Sequence, residues 1–224
     1  MKISIIIPVF NEKQQLPELL ERLLVVTAYG HEIIIVDGGS TEKYEPVDSV
    51  PGLKMLTAEK GRARQMNVGA LHAEGEIFWF IHADSGFLYP LESYLRSLTE
   101  LSERQWGRFN VRLDGNRRVY RLIEWMMNWR SSLSGIATGD QGIFVHRQLF
   151  NEAGCFSDIA IMEDIDLCKK LKKFSSPVIK KRCLTTSSRR WEQGGVLRTI
   201  FLMWKMRVLF FFGWDPDKLV KMYD

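Results

Sequence analysis

Ile3-Ser4-Ile5-Ile6-Ile7-Pro8-Val9-Phe10-Asn11-Glu12 sets a largely β-branched run, ended by Pro8, against a polar stop. A run without polar alternation reads as a strand covered on both faces. It is too short for a signal peptide, and Pro8 interrupts it. Asn11 is placed to cap a helix over Lys13 to Val26, where Leu16, Leu19, Leu20, Leu23 and Leu24 recur at helical spacing. A second apolar strand, Glu32 to Val36, stops at Asp37-Gly38-Gly39-Ser40, and Met55 and Leu56 mark a weaker third. Arg62 to Ala73 reads as a helix, and Ile77 to Ile81 as a strand with His82-Ala83-Asp84 at its end. Strand and helix thus alternate through the first 85 residues, the pattern of a parallel sheet with helices on both faces. Ligands of such sheets sit outside the carboxyl ends of the strands. Asn11/Glu12, Asp37 and Asp84 all fall there.

The second half is less regular. Leu91 to Leu101 reads as a helix, Arg108 to Leu113 as a strand, Gly142 to His146 as a short strand and Ile165 to Phe174 as a helix. Val119, Leu122, Ile123, Met126 and Leu133 predict one apolar helix face beside Trp125 and Trp129. With 224 residues, no repeat and no linker, the expectation is an α/β chain with one domain over residues 1–195. Its central sheet is mostly parallel and flanked by helices, and an apolar and basic helical segment follows over residues 196–224.

Composition excludes little beyond disorder: 46% hydrophobic, 26% charged and a net charge of +4 are ordinary for a folded protein and give no case for nucleic acid. The charge is uneven. Between Lys169 and Arg207 stand 12 Lys and Arg against one acid, Glu192, which suits an anionic partner such as a diphosphate or a lipid surface. Cys155, Cys168 and Cys183 are odd in number and lack CxxC spacing, so neither a disulfide framework nor a cysteine zinc site is predicted, and a reducing cytoplasm is the natural setting.

Several residues are candidates for chemistry. A carboxylate after an apolar strand, Asp84, suits a divalent cation that also grips phosphate oxygens; by itself it reads first as a turn cap, and His82 beside it reads first as a structural histidine. Asp37 with Gly39 combines an acceptor with a backbone that a ligand can approach. Glu163-Asp164 precedes a helix, where a carboxylate caps or serves as a base facing the crevice. Gly139-Asp140-Gln141-Gly142 is a polar turn, and Arg189-Arg190-Trp191 after Thr185-Thr186-Ser187-Ser188 suits a diphosphate. Neither GxxxxGK[ST] nor GxGxxG occurs.

The ordered set Pro8-Val9-Phe10-Asn11-Glu12, Ile34-Ile35-Val36-Asp37-Gly38-Gly39-Ser40, Gly61 to Ala70, His82-Ala83-Asp84 and Glu163-Asp164 resembles family 2 glycosyltransferases. The resemblance covers about three quarters of the chain, and Gly139 to Phe144 with Ser188 to Trp191 is similar to a bacterial subgroup of that family. It implies a GT-A, Rossmann-like fold. Residues 1–85 would form its nucleotide-binding half and residues 86–195 its acceptor half. It also implies a UDP- or GDP-linked sugar donor and a Mg²⁺ or Mn²⁺ ion. By that resemblance Asp37 contacts the base, Pro8 and Glu12 line the nucleotide pocket with Gly39, and Arg62 lies near base or ribose. Asp84 holds the metal as the last residue of the family's DxD motif, with Arg189 and Arg190 on the diphosphate. Asp164 is the catalytic base beside Glu163, with Gly139, Asp140, Gln141 and Trp191 on the acceptor side. His82 stands where the motif has its first aspartate, and Glu42 is displaced from the acid that often follows the serine of the second motif.

The resemblance implies inverting displacement, with Asp164 taking the acceptor hydroxyl proton. Val196 to Trp214 is very apolar but broken by Arg198, Lys205 and Arg207, too interrupted to span a bilayer. It reads either as a helix on the core or, preferred, as an interfacial helix with aromatic anchors. That would suit a lipid-linked or cell-envelope acceptor and a cytoplasmic protein peripheral to the inner face of the membrane. Two rivals stand: a sugar-phosphate nucleotidyltransferase, disfavoured because no glycine-rich basic loop follows the first strand, and a non-catalytic nucleotide-sugar-binding relative.

Overall fold

The computed structural model describes residues 1–42, 44 and 50–223; Asp224, the last residue of the expected C-terminal segment, lies outside the described residues. Strands β1 (Ile3–Val9), β2 (Glu32–Asp37), β3 (Leu53–Thr57) and β4 (Ile77–Phe80) alternate with helices α1 (Leu16–Leu23), α2 (Val25–Ala28) and α3 (Arg62–His72). There follow β5 (Gly86–Phe87), α4 (Leu91–Thr99), β6 (Trp106–Leu113), α5 (Arg118–Ser134), a 3₁₀ turn over Gly139–Gln141, β7 (Phe144–His146), α6 (Arg147–Glu152) and α7 (Glu163–Leu171). The chain continues through β8 (Val178–Thr186), α8 (Arg189–Gly194), α9 (Val196–Phe211) and α10 (Pro216–Tyr223). One sheet holds all the strands in the order β3-β2-β1-β4-β7-β6-β8-β5. The first four are mutually parallel, β7 joins antiparallel to β4 and β6, and β6 and β8 are again parallel.

The β-branched run of β1 explains the two-sided core. Ile3, Ile5, Ile7 and Val9 face one layer, with Leu16, Leu19 and Leu98, while Ile6 faces the other, with Met66, Phe78 and Phe150. Each such side chain, fully buried, contributes about 1.5–3 kcal/mol. Gly69 matters on the second face: a Cβ there would lie 2.5 Å from Ile6 Cγ2. Only a glycine lets α3 approach β1 so closely, and this approach carries the amino end of α3, with Arg62, to the strand ends. Because β2 and β4 lie on opposite sides of β1, the direction in which strands are added reverses there, and a crevice opens at their carboxyl ends.

The structure departs from several expectations. Asn11 does not cap α1: it adopts φ 57° and its side chain accepts from Thr41 N–H (2.9 Å) instead. The helix expected from Lys13 starts at Leu16, with Pro17 in its first turn, and α2 continues after Leu24. Strands β5 and β8 were not expected; β8 is a long strand of mostly polar residues, Val178-Ile-Lys-Lys-Arg-Cys-Leu-Thr-Thr186, without hydrophobic periodicity. The apolar face predicted on α5 is divided. Ile123 is buried with Tyr120, but Leu122, Trp125, Trp129 and Leu133 are exposed. Polar contacts fix this rotation: Asn128 pairs with Val111 as a strand would (N–H to Oδ1 3.0 Å, Nδ2 to O 3.0 Å), and buried Arg108 donates to Asn128 O and Ser132 Oγ (both 2.9 Å).

Candidate functional site

The strand ends are fastened by a residue to which the sequence reading gave no role. Gln65, buried on α3, donates from Nε2 to Val9 O (2.7 Å) and Val36 O (2.8 Å), tying the carboxyl ends of β1 and β2 together. Asp37 accepts from Ser40 N–H (3.0 Å) and Ser40 Oγ (2.5 Å), so the turn after β2 closes on its own aspartate. Ser40 Oγ also accepts from Asn11 N–H (2.8 Å), which locks the two loops side by side. Glu12 follows. Burial first, then the Asp84 carboxylate, raise its pKa, against the pull of Arg189 and Arg62. With its amide nitrogen toward Glu12 Oε2 (2.9 Å), Gln15 presents its oxygen to Arg189 at 2.6 and 3.0 Å, which joins the amino-terminal edge to α8.

Beyond β4, Asp84 Oδ2 faces Ser187 N–H (3.3 Å) and Thr186 Oγ1 (3.4 Å), and the same hydroxyl reaches Asp140 Oδ1 (3.4 Å). Asp84 and Asp140 therefore approach one another around the end of β8, the strand without a sequence signature. His82 turns to the 3₁₀ turn. Its Nδ1 is 3.5 Å from Asp140 Oδ1, and a Cβ on Gly139 would stand 2.4 Å from its Nε2. Burial opposes the charged imidazole, but the bond to Asp140 and the Asp84 carboxylate outweigh it and raise the His82 pKa; the same pair lowers that of Asp140 against its own burial. Where the family motif has its first aspartate, this chain has one member of a His–Asp pair. Among the described residues, no group of three or more His, Cys, Asp and Glu is arranged to hold a metal.

Across the crevice Asp164 stands in the first turn of α7. Its Oδ2 accepts from Gly139 N–H (2.9 Å) and its Oδ1 from Ile165 N–H (2.7 Å), so one carboxylate is oriented by two backbone donors. Met162, the residue before α7, has φ 69°, a left-handed conformation that a side chain disfavours. Glu163 is buried; desolvation, then the neighbouring Asp164 charge, push its pKa up to about 7.

These groups line one cavity of about 650 Å³. Pro8, Glu12, Arg62, His82 and Asp84 form its wall at the strand ends. Glu163, Asp164, Gly139 and Asp140 lie opposite, and Arg189, Arg190 and Trp191 come from α8. Three expected residues are outside its lining: Asp37 and Gly39, which stay in the turn after β2, and Gln141, which is buried and closes its own turn through Thr138 N–H to Oε1 (3.1 Å). The sequence reading also missed Arg130 of α5 and Arg207 of α9, both in the lining. The only signal for Arg207 is a charge inside an apolar helix.

The C-terminal helix is on the core and exposed at once. Met206 is buried against Ile161, Met162, Ile165 and Leu219, while Leu197, Phe201, Trp204, Val208 and Phe211, spaced by four and three, are exposed. No helix among the described residues is long and apolar enough to cross a membrane.

Comparison with known proteins fits this arrangement. The sequence is 34% identical over 91 residues to the dolichol-phosphate mannosyltransferase of Pyrococcus furiosus, covering 38% of this chain and 26% of that one. It is 27% identical over 158 residues to the undecaprenyl-phosphate 4-deoxy-4-formamido-L-arabinose transferase of Enterobacter sp. (strain 638), covering 63% of this chain and 46% of that one. The chain thus matches between about a quarter and a half of the length of these relatives. In three dimensions it is similar to S. aureus TarS in complex with UDP-GlcNAc (TM-score 0.65, 18% identity, 84% of this chain and 58% of that one). It is likewise similar to the mannosyltransferase PcManGT from Pyrobaculum calidifontis in complex with GDP-Man and Mn²⁺ (TM-score 0.61, 18% identity, 82% and 56%). These likenesses show the GT-A fold. The sequence model described as Glycosyl transferase family 2 matches residues 4–129, more than half of the 224, and the chain belongs to that family.

Proposed function

We propose that this chain transfers a sugar from a UDP- or GDP-linked donor to an acceptor hydroxyl with inversion at the anomeric carbon. The observation that carries this reading is the cavity itself: Asp164, held by two backbone N–H groups, lines the same cleft as the strand-end wall of Glu12, Arg62 and Asp84. In the proposed reaction the acceptor oxygen forms its bond to the anomeric carbon as the bond from that carbon to the diphosphate oxygen breaks. Asp164 takes the acceptor proton, and the nucleoside diphosphate leaves with the bonding pair. Arg62, Arg189 and Arg190 meet the charge of the diphosphate, and Asp37 and Gly39 sit at the edge where a base would reach past the cavity.

Asp84 and Asp140 offer hard oxygen donors at one point of the wall, a fit for a cation that takes one or two carboxylates and completes its shell with phosphate oxygens. When bound there through Asp84, Mg²⁺ or Mn²⁺ supplies neutralisation of the leaving diphosphate. The acceptor is a lipid-linked or cell-envelope molecule, and the exposed apolar stripe of α9 rests peripherally on the inner face of the membrane, beside residues 1–195 as the transferase domain. The relatives named for dolichol-phosphate and undecaprenyl-phosphate support this acceptor class. Asp164→Asn tests the chemistry: turnover should fall by roughly 10²–10⁴-fold while nucleotide binding persists. Full turnover in that variant would remove Asp164 as the base.

A further inference from the structure

Arg130 and Arg207 line the cavity, and donor binding and proton transfer leave them no task. Both side chains are largely removed from water, and among the described residues neither makes an ion pair. Arg130 donates only from Nη1, to Ile136 O (3.3 Å); its Nε and Nη2 are buried with no hydrogen-bond partner. Such orphaned donors are costly, and native proteins keep few of them. Burial lowers the pKa of Arg130 to about 10, with the Arg207 guanidinium as the next cause. Burial also lowers that of Arg207, against the pull of the Asp164 and Asp140 carboxylates. Contacts place both beside Asp164: Arg130 donates to Ile136 O, three residues before the Gly139 whose N–H binds Asp164, and Arg207 adjoins Met206, which packs with Met162 and Ile165 on either side of Asp164. Around them α5 and α9 contribute Met127, Ile200, Met203 and Trp204, an apolar collar in which a charge–charge contact is little screened.

We propose that Arg130 and Arg207 form an oxyanion subsite for the acceptor, so that the acceptor carries a phosphomonoester close to the hydroxyl that Asp164 deprotonates. This rests on the donor reading of the opposite wall. Two planar guanidinium forks match phosphate oxygens, and a phosphate there would satisfy the Nε and Nη2 donors of Arg130 that the fold leaves open. The apolar collar accommodates a hydrocarbon body behind the phosphate, and a water-soluble phosphomonoester carries the same headgroup without it.

The test is calorimetric titration of the full chain with farnesyl phosphate, phenyl phosphate and uncharged farnesol, each with and without saturating UDP or GDP. At least one phosphate should bind, and farnesol should bind far more weakly. Arg207→Gln and Arg130→Gln should each weaken the phosphate by about 10- to 100-fold and change nucleotide affinity less than about twofold. Preference for farnesyl over phenyl phosphate names a lipid source; equal affinity names a soluble one. Because Arg130→Gln disturbs a buried site, Arg130→Lys is measured beside it. Unaltered phosphate affinity in Arg207→Gln and both Arg130 variants, or binding of neither phosphate, overturns the subsite. Absence of nucleotide binding would instead overturn the donor reading, and the titrations without nucleotide would still judge the arginines.

Discussion

At the residue scale, the carboxylates of the cavity divide by their surroundings. Glu163 is buried beside Asp164 and its pKa rises from 4.5 to about 7. A raised carboxyl pKa means that the folded chain holds the proton more tightly than the unfolded one. The stability it contributes is full below about pH 4.5 and is lost as pH rises through about 7. Glu163→Gln should therefore melt a few degrees above the wild type at pH 8, with the difference vanishing near pH 5; a constant difference across that range would contradict the assignment. The sequence shows which residues stand here but not what they touch. His82 is legible as a departure from the family motif, whereas its pairing with Asp140 depends on a turn more than fifty positions along the chain. Gln65 stands inside the Gly61 to Ala70 motif without a sign of its role, and Arg130 carries no sequence signal, because a buried polar side chain is recognised by its partners and not by its neighbours in sequence.

At the scale of elements, the 3₁₀ turn over Gly139–Gln141 is the piece on which the two walls register. Gly139 donates its N–H to Asp164 and presses its Cα against His82, with no room for a methyl group. Gly139→Ala should displace the turn, release Asp164 and lower turnover by at least about tenfold, with a stability loss of about 1–3 kcal/mol from overpacking measured by denaturant unfolding. Unchanged activity would show that the turn does not position Asp164. Helix α9 illustrates how far a helical wheel can be read. Arg207 falls opposite Arg198 and Lys205, which makes the wheel look mixed in sequence. The structure resolves it into three faces: a core face at Met206, a cavity face at Arg207 and an exposed apolar stripe from Leu197 to Phe211. Burial against α7 and α10 draws that division, and no periodicity contains it.

For the whole molecule, the parallel half was legible because each buried strand is an apolar run that ends in a polar stop: Ile3–Val9 at Asn11, Glu32–Val36 at Asp37, Ile77–Phe80 at His82. The other half hid β8, whose exposure to solvent along much of its length frees it from the hydrophobic pattern. The apolar stripes of α5 and α9 predict surface behaviour: the chain should co-sediment with vesicles containing anionic phospholipid, and Phe201→Ser with Phe211→Ser should release it while nucleotide binding is retained. Equal sedimentation of the two forms would remove the membrane contact.

The central claim, that the strand-end cavity is a nucleotide-sugar site, is met most directly by thermal unfolding in the presence of UDP- and GDP-linked sugars with and without Mn²⁺. A ligand at about a hundred times its Kd should raise the melting temperature by roughly 5–10 °C. That rise should depend on Mn²⁺ and be lost in Arg62→Ala; a melting temperature indifferent to every nucleotide sugar at millimolar concentration, or a rise that survives Arg62→Ala unchanged, would contradict the account.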